Sequence, residues 1–136
     1  MQHQVKNAAN YFAHQQYRDY IIYQALAKRE KNKEFKKVLQ GLITQELEDF
    51  HFWQKLASKK EFKIRKLDVL SFLALRKIFG LTFTAKFLET REKHMISRYN
   101  VFLEKADPQL KKNVQKIIEH ERSHEAQLIN QIKEHK

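Results

Sequence analysis

Six polar residues fall at positions where the surrounding apolar residues predict the buried face of a helix. They are Gln16, Glu46, Asp49, Glu92, Glu121 and His124. A carboxylate that faces an apolar interior is costly unless it is paired, protonated or bound to a metal ion. Carboxylate, amide and imidazole donors suit iron or manganese, and they can also hold zinc. The six residues are therefore candidate metal ligands.

The spacing of four of these residues indicates an internal repeat. Gln16 and Glu46 are 30 positions apart, and Glu92 and Glu121 are 29 positions apart. Each half of the chain is therefore predicted to be a helix pair that contributes to one shared polar site.

Two short elements place an acid three residues before a second ligand. Residues 46–49 read Glu-Leu-Glu-Asp, and residues 121–124 read Glu-Arg-Ser-His. Side chains at positions i and i+3 lie on the same face of a helix, so both ends of each element can reach one ion. Another Glu-x-x-His occurs at Glu48 and His51, but it lies on the face opposite Trp53 and is expected to be exposed.

Three further residues lie near the predicted ligands. Tyr23 and Tyr99 follow Gln16 and Glu92 by seven residues each. They are interpreted either as core aromatics or as hydrogen-bond donors to ligand carboxylates. Asp19 lies at the edge of its helix stripe, where a hydrogen bond or a surface ion pair is expected rather than ligation.

Apolar spacing with the period of a helix predicts four long helices and one short one. The long helices are expected at about residues 4–29, 33–58, 82–104 and from 108 to near the C-terminus, with the short helix at 67–79. Gly80 suits the left-handed residue after a helix, and Asp107 with Pro108 is a helix start signal. The pattern favours an all-α four-helix bundle, with the short helix in the connection between its halves. The chain length fits a single domain, 1–136.

The composition excludes several classes of protein. There are 2 Gly and 1 Pro, too few for the tight turns of an all-β sandwich or barrel. With no Cys, disulfides, thiolate nucleophiles and Cys-ligated metal sites are excluded. The apolar stretch 67–87 is interrupted by charged residues, among them Arg76 and Lys77, and is not expected to span a membrane. Residues 1–6 carry no apolar run, so we expect no signal peptide and a cytoplasmic location.

The charge balance is strongly basic. The formal net charge is +11, from 27 basic and 16 acidic residues. Such an excess is typical of proteins that bind nucleic acid or an anionic membrane surface. Lys and Arg recur on most predicted exposed faces, however, and are locally concentrated only in residues 55–66. We therefore expect a solvated, Lys-rich surface rather than nucleic-acid binding, with weak binding to polyanions or to an anionic membrane surface as the alternative. Four acids are expected inside: Glu46, Asp49, Glu92 and Glu121.

The arrangement resembles the ferritin-like carboxylate-bridged di-metal proteins, and their rubrerythrin-like branch in particular. That family uses one Glu from each of two helices and Glu-x-x-His from each of the other two. The stretches YRDYIIY at 17–23, FHFW at 50–53 and FGLTFT at 79–84 look closest to the rubrerythrin-like domains that precede vacuolar-iron-transporter-like membrane domains. The resemblance covers nearly the whole chain. It implies an antiparallel ferritin-like bundle that binds two iron or manganese ions.

The resemblance also implies roles for the candidate ligands. Glu46 and Glu121 would bridge the two ions. Glu92 and His124 would complete one metal position, and Gln16 and Asp49 would complete the other.

Two ligands depart from the family pattern. Gln16 stands where the family has Glu, and Asp49 stands where it has His, so one metal position is expected to be weaker. The additional carboxylate of the family would fall at Met95, which argues against peroxidase-type rubrerythrin chemistry.

Three functions are compatible with this pattern. The first is an iron-binding protein that oxidises Fe(II) with dioxygen or peroxide, as the resemblance implies. The second is a non-catalytic metal-sensing or partner-binding bundle with a partly degenerate site, associated with a membrane metal transporter. The third is a basic, helical nucleic-acid-binding protein. Apolar residues off the main stripes are expected either to pack the short helix or to form a homodimer interface: Ile22, Phe52, Phe72, Leu75, Phe83 and Ile96.

Overall fold

The computed structural model describes the backbone of residues 2–135 and the side chains of residues 4–135. Over this range the chain forms four helices and no strand: α1 (Gln2–Arg29), α2 (Lys33–Leu56), α3 (Lys66–Leu103) and α4 (Pro108–Glu134). The all-α prediction is confirmed. The predicted single domain 1–136 also includes Met1 and Lys136, which lie outside the described residues. The chain divides into two compact units, Met1–Ala74 and Leu75–Lys136, called unit 1 and unit 2 below.

Unit 1 is built on the packing of α1 against α2. The turn between them is held by Asn32, whose side-chain Oδ1 accepts a hydrogen bond from the Phe35 backbone N–H at 2.9 Å and so caps α2. The Glu30 carboxylate accepts from the Asn32 N–H at 3.1 Å. The Phe12 and Trp53 rings lie 4.8 Å apart at the core of the pair. Leucines and aromatic residues at helical spacing therefore position the polar residues that share their face.

The connection after α2 is fastened to unit 1 at several points. The Asn10 side chain donates to the Ser58 hydroxyl at 2.8 Å and accepts from the Lys59 N–H at 3.1 Å. The Lys60 ammonium donates to the carbonyl oxygens of Gln54 and Lys55, at 2.8 and 3.3 Å. Lys60 therefore satisfies the Lys55 carbonyl at the end of α2 and adds a second donor to the Gln54 carbonyl, which also accepts from the Ala57 N–H.

Unit 2 contains most of α3 and all of α4. Gly80 interrupts α3 with φ 90° and ψ 178°, a conformation that is almost confined to glycine. The predicted helices 67–79 and 82–104 correspond to the two parts of α3 on either side of this break. Asp107 caps α4 by accepting from the Leu110 N–H at 2.8 Å, and Pro108 takes the first helical position. Both sequence signals are confirmed.

Acidic and basic side chains differ in how deeply they are buried. Within residues 4–135 no Lys or Arg is buried, whereas several carboxylates are. The expectation that the basic excess lies on outer faces is confirmed. No helix among the described residues is long and apolar enough to cross a membrane.

Candidate metal centre

Unit 2 brings three of the predicted ligands together. Glu92 on α3 and Glu121 and His124 on α4 are all buried. Each of the three offers a ligand atom, and these atoms lie within 4.8 Å of one another. The Nδ1 atom of His124 is 3.8 Å from the Oε2 atom of Glu92.

These distances fit a single metal ion. Carboxylate and imidazole ligands lie about 2.1 Å from an ion such as zinc, so two ligands of one ion are at most about 4.2 Å apart. The separation of 3.8 Å between His124 and Glu92 is inside this limit. A small side-chain adjustment would place all three donors around one ion.

The helices position these ligands through their apolar stripes. On α4, Val114, Ile117 and Leu128 are buried at the spacing that also buries Glu121 and His124. On α3, Leu88 and Tyr99 are buried on the same stripe as Glu92. The apolar residues bury this face of each helix, and the polar residues on the stripe are buried with it.

Unit 1 buries the other three predicted ligands. Gln16 on α1 and Glu46 and Asp49 on α2 are 1%, 0% and 2% exposed. All three therefore lie in the interior, as their stripes predict. Their role as ligands stays a prediction from the sequence repeat.

The structure also gives the burial of the residues that flank the predicted ligands. Tyr23 and Tyr99 are buried, as both interpretations of them require. Glu48 and His51 are exposed, and the His51 ring lies 3.4 Å from the Gln54 side chain. The Glu-x-x-His at 48–51 therefore lies on the solvent side of α2, as expected.

The number of buried acids is larger than the four predicted. Asp19, Glu30 and Glu89 are buried in addition to them. Of the two interpretations of Asp19, the surface ion pair is wrong because the side chain is buried, and the hydrogen bond stays a prediction. Glu30 is buried where it holds the turn before α2.

Glu89 is buried, although its neighbours in the sequence predict an exposed residue. Its carboxylate is 3.4 Å from the Lys86 ammonium and 3.7 Å from that of Lys93. The Glu89 side chain is 3% exposed, whereas the two lysines are 62% and 67% exposed. A Glu with Lys three residues before and four residues after it is typical of a solvated face. The lysines here lie over the carboxylate from the solvent side, so no sequence signal marks Glu89 as buried.

Gln131 is a buried polar residue that the spacing could have identified. It continues the buried series at 117, 121, 124 and 128 by one more helical step, and it is 1% exposed. Ile132, the apolar residue four positions after Leu128, is only partly buried.

The donor set of unit 2 is thus two carboxylates and one imidazole in a water-poor interior. Such a set can hold a divalent transition-metal ion, with carboxylates supplying charge and the imidazole favouring transition metals over calcium or magnesium. Comparison with protein-family models, with curated proteins and with solved structures finds no match for this chain.

Proposed function

We propose that this protein binds transition-metal ions, with Glu92, Glu121 and His124 as the ligands of one position. The observation that carries this proposal is the convergence of three buried donor atoms within 4.8 Å, from two helices whose buried residues are mostly apolar. Two carboxylates in such an interior are stabilised by a cation. Iron is the proposed ion, with manganese or zinc as competitors for the same donors.

A second metal position is proposed from the sequence repeat. Glu46 and Asp49 form the acid-x-x-ligand element of the first half, and Gln16 occupies the position that corresponds to Glu92. The burial of all three residues supports this assignment. Glu46 and Glu121 are the proposed bridging ligands, and Gln16 and Asp49 make this position the weaker one.

The proposed architecture is a ferritin-like antiparallel four-helix bundle. In unit 1, the hydrogen bond between Asn10 near the start of α1 and Ser58 after the end of α2 supports antiparallel pairing. In unit 2, the Thr82 hydroxyl donates to the backbone carbonyl of His135 at 2.9 Å, so the residues after the Gly80 break lie beside the end of α4. These two hydrogen bonds support the antiparallel pairing that the proposed bundle requires in each half of the chain.

The proposed activity is oxidation of Fe(II) by dioxygen or peroxide. Bound iron would supply the redox chemistry. The described residues would hold the ions, exclude water and keep the ligand carboxylates in place. Tyr23 and Tyr99 are the proposed hydrogen-bond donors that orient those carboxylates.

Metal titration of the apo-protein tests the binding proposal. Fe(II), Mn(II) and Zn(II) are titrated into the wild type, His124→Ala and His51→Ala under anaerobic conditions. We expect saturable binding that is at least about tenfold weaker in His124→Ala, because removing one ligand of a small donor set costs well over 1 kcal/mol. His51→Ala is the matched control, since His51 follows a Glu by three residues but is exposed. Equal affinities in all three proteins would contradict the proposed site.

A measurement of catalytic turnover distinguishes an enzyme from a protein that only binds metal. Dioxygen consumption with Fe(II) in large excess over protein supports an oxidase. Saturable binding without consumption would retain the metal site and reject the oxidase activity, in favour of a metal-sensing or partner-binding bundle.

A further inference from the structure

Exposed apolar side chains are concentrated in one part of the chain. Seven large apolar residues are exposed among the described residues, and six of them fall between positions 67 and 87. These six are Leu67, Leu70, Ile78, Phe79, Phe83 and Phe87, with exposures from 45% to 70%. The seventh, Val101, lies apart from them.

The same part of the chain is strongly basic. Residues 59–87, called the 59–87 segment below, contain eight Lys or Arg and two acids, a net charge of +6. More than half of the net charge of the protein thus falls in about a fifth of its length. All eight basic residues except Arg76 are exposed. One of the two acids, Asp68, is engaged by Arg65 at 3.0 Å.

In unit 2 the segment contains both exposed aromatic and exposed basic residues. The Phe79 and Phe83 rings lie 5.0 Å apart, and Phe87 follows Phe83 by four residues, which places it on the same helix face. Lys77 and Lys86 are exposed within the same stretch. Phe72 and Ala85 are buried, so the segment is fixed to the protein by other side chains than those it exposes.

We propose that residues 75–87 of unit 2 dock the protein onto an anionic lipid surface, with Ile78, Phe79, Phe83 and Phe87 entering the headgroup region. Interfacial helices combine exposed Phe and Leu with Lys and Arg in this way, and the two contributions to membrane affinity add. Charge complementarity selects the lipid surface over a second copy of this chain, because a symmetric dimer through residues 75–87 would bring two groups of net charge +3 together. Residues 75–87 lie on the membrane, since no described helix can cross it. This inference is independent of the metal site.

Vesicle co-sedimentation tests the proposal with the full chain, with and without added metal. The probes are phosphatidylcholine vesicles and vesicles with about one-third phosphatidylserine, whose negative surface potential attracts Lys and Arg. We expect the wild type to bind only the anionic vesicles and to be released by high salt.

Two pairs of variants identify the docking residues. Ile78→Gln/Phe79→Gln should bind at least about tenfold more weakly, because it removes two large apolar groups that would leave water. Val101→Gln is its control, with an equally exposed apolar residue outside the segment. Lys77→Glu should weaken binding more than Lys111→Glu, which makes the same charge change at an exposed position of α4. Because every substituted residue is exposed, circular dichroism should show unchanged helicity.

Three outcomes would overturn the proposal. The first is an absence of wild-type binding to anionic vesicles. The second is equal binding by Ile78→Gln/Phe79→Gln and Val101→Gln. The third is a lipid-free dimer, found by sedimentation equilibrium, that Ile78→Gln/Phe79→Gln dissociates, because the apolar residues would then be covered by a second copy.

Discussion

The Nδ1 atom of His124 lies 3.8 Å from the Oε2 atom of Glu92, although the two residues come from different helices and their side chains are 3% and 0% exposed. An imidazole and a carboxylate at this distance, with the Glu121 carboxylate beside them, can share one ion. The following predictions test whether this group binds metal or is a buried polar network only.

Glu92→Gln distinguishes a metal ligand from a member of a buried polar network, because it preserves the size of the side chain and removes its charge. We expect metal affinity to fall at least about tenfold, while the apo-protein becomes equally stable or more stable, since a buried charge is replaced by a neutral amide. Urea unfolding with and without saturating Mn(II) measures both effects. A loss of stability that is the same with and without metal would indicate a structural network.

Asp49→Ala tests the second metal position. If Gln16, Glu46 and Asp49 hold a separate ion, elemental analysis of the metal-saturated variant should give about one ion per chain where the wild type gives two. The ligands of unit 2 are unchanged, so the remaining ion should keep the wild-type affinity. Glu48→Ala is the control, because Glu48 is the exposed neighbour of Asp49 on α2. A wild-type stoichiometry of one would contradict the two-position proposal.

Metal removal should lower the thermal stability of the protein. A ligand at 100 times its dissociation constant stabilises the folded state by about 2.7 kcal/mol. In a chain of this size that corresponds to a Tm lower by roughly 10 °C after chelation. Differential scanning calorimetry with EDTA and with re-added metal measures the change. The shift should be at least about halved in Glu92→Gln, because a tenfold weaker affinity leaves about 1.4 kcal/mol of stabilisation at the same metal concentration, and it should be unchanged in His51→Ala.

Alanine substitutions at Gly80 and Gly41 should change the stability of the protein in opposite directions. Gly80 has φ 90° and ψ 178°, so Gly80→Ala is expected to destabilise the protein by about 1–3 kcal/mol through backbone strain alone, because a Cβ would meet nothing within 4 Å. Gly41 lies in the interior of α2 and also has open space around a Cβ. Gly41→Ala should stabilise by about 0.5–1 kcal/mol. Chemical denaturation of both variants measures the difference, and two changes of equal sign would contradict this account of Gly80.

Local signals in the sequence were sufficient for the helix ends. Gly80 breaks α3, and Asp107 with Pro108 starts α4, because capping and backbone preferences act over a few residues. The burial of Gln16, Glu46, Asp49, Glu92, Glu121 and His124 was likewise predictable from the apolar residues one turn before and after them.

Burial that depends on neighbouring side chains was not predictable in the same way. Glu89 has the flanking lysines of a solvated residue, and only the structure shows that the lysines lie over it. The exposure of Phe83 was not predictable either: its ring lies 5.0 Å from that of Phe79 in the predicted short helix, yet it is 49% exposed, so the two expectations for it, packing on the short helix and a dimer interface, both stay open. In both cases the stripe pattern describes one helix, whereas exposure depends on what the rest of the fold leaves uncovered.

The hydrogen bonds of Lys59 and Lys60 affect where a protease can cut the chain. Six trypsin-cleavable residues follow one another closely in 55–66. A protease must draw an extended length of chain into its cleft, and the bonds from Asn10 to Ser58 and Lys59 and from Lys60 to the end of α2 oppose this. The Lys60 carbonyl is also held, since it accepts from the Gln54 side chain at 2.8 Å. Trypsin should therefore cut first after Lys63 or Arg65. The first half of residues 55–66 should be protected, although its lysines make it a good trypsin substrate by composition.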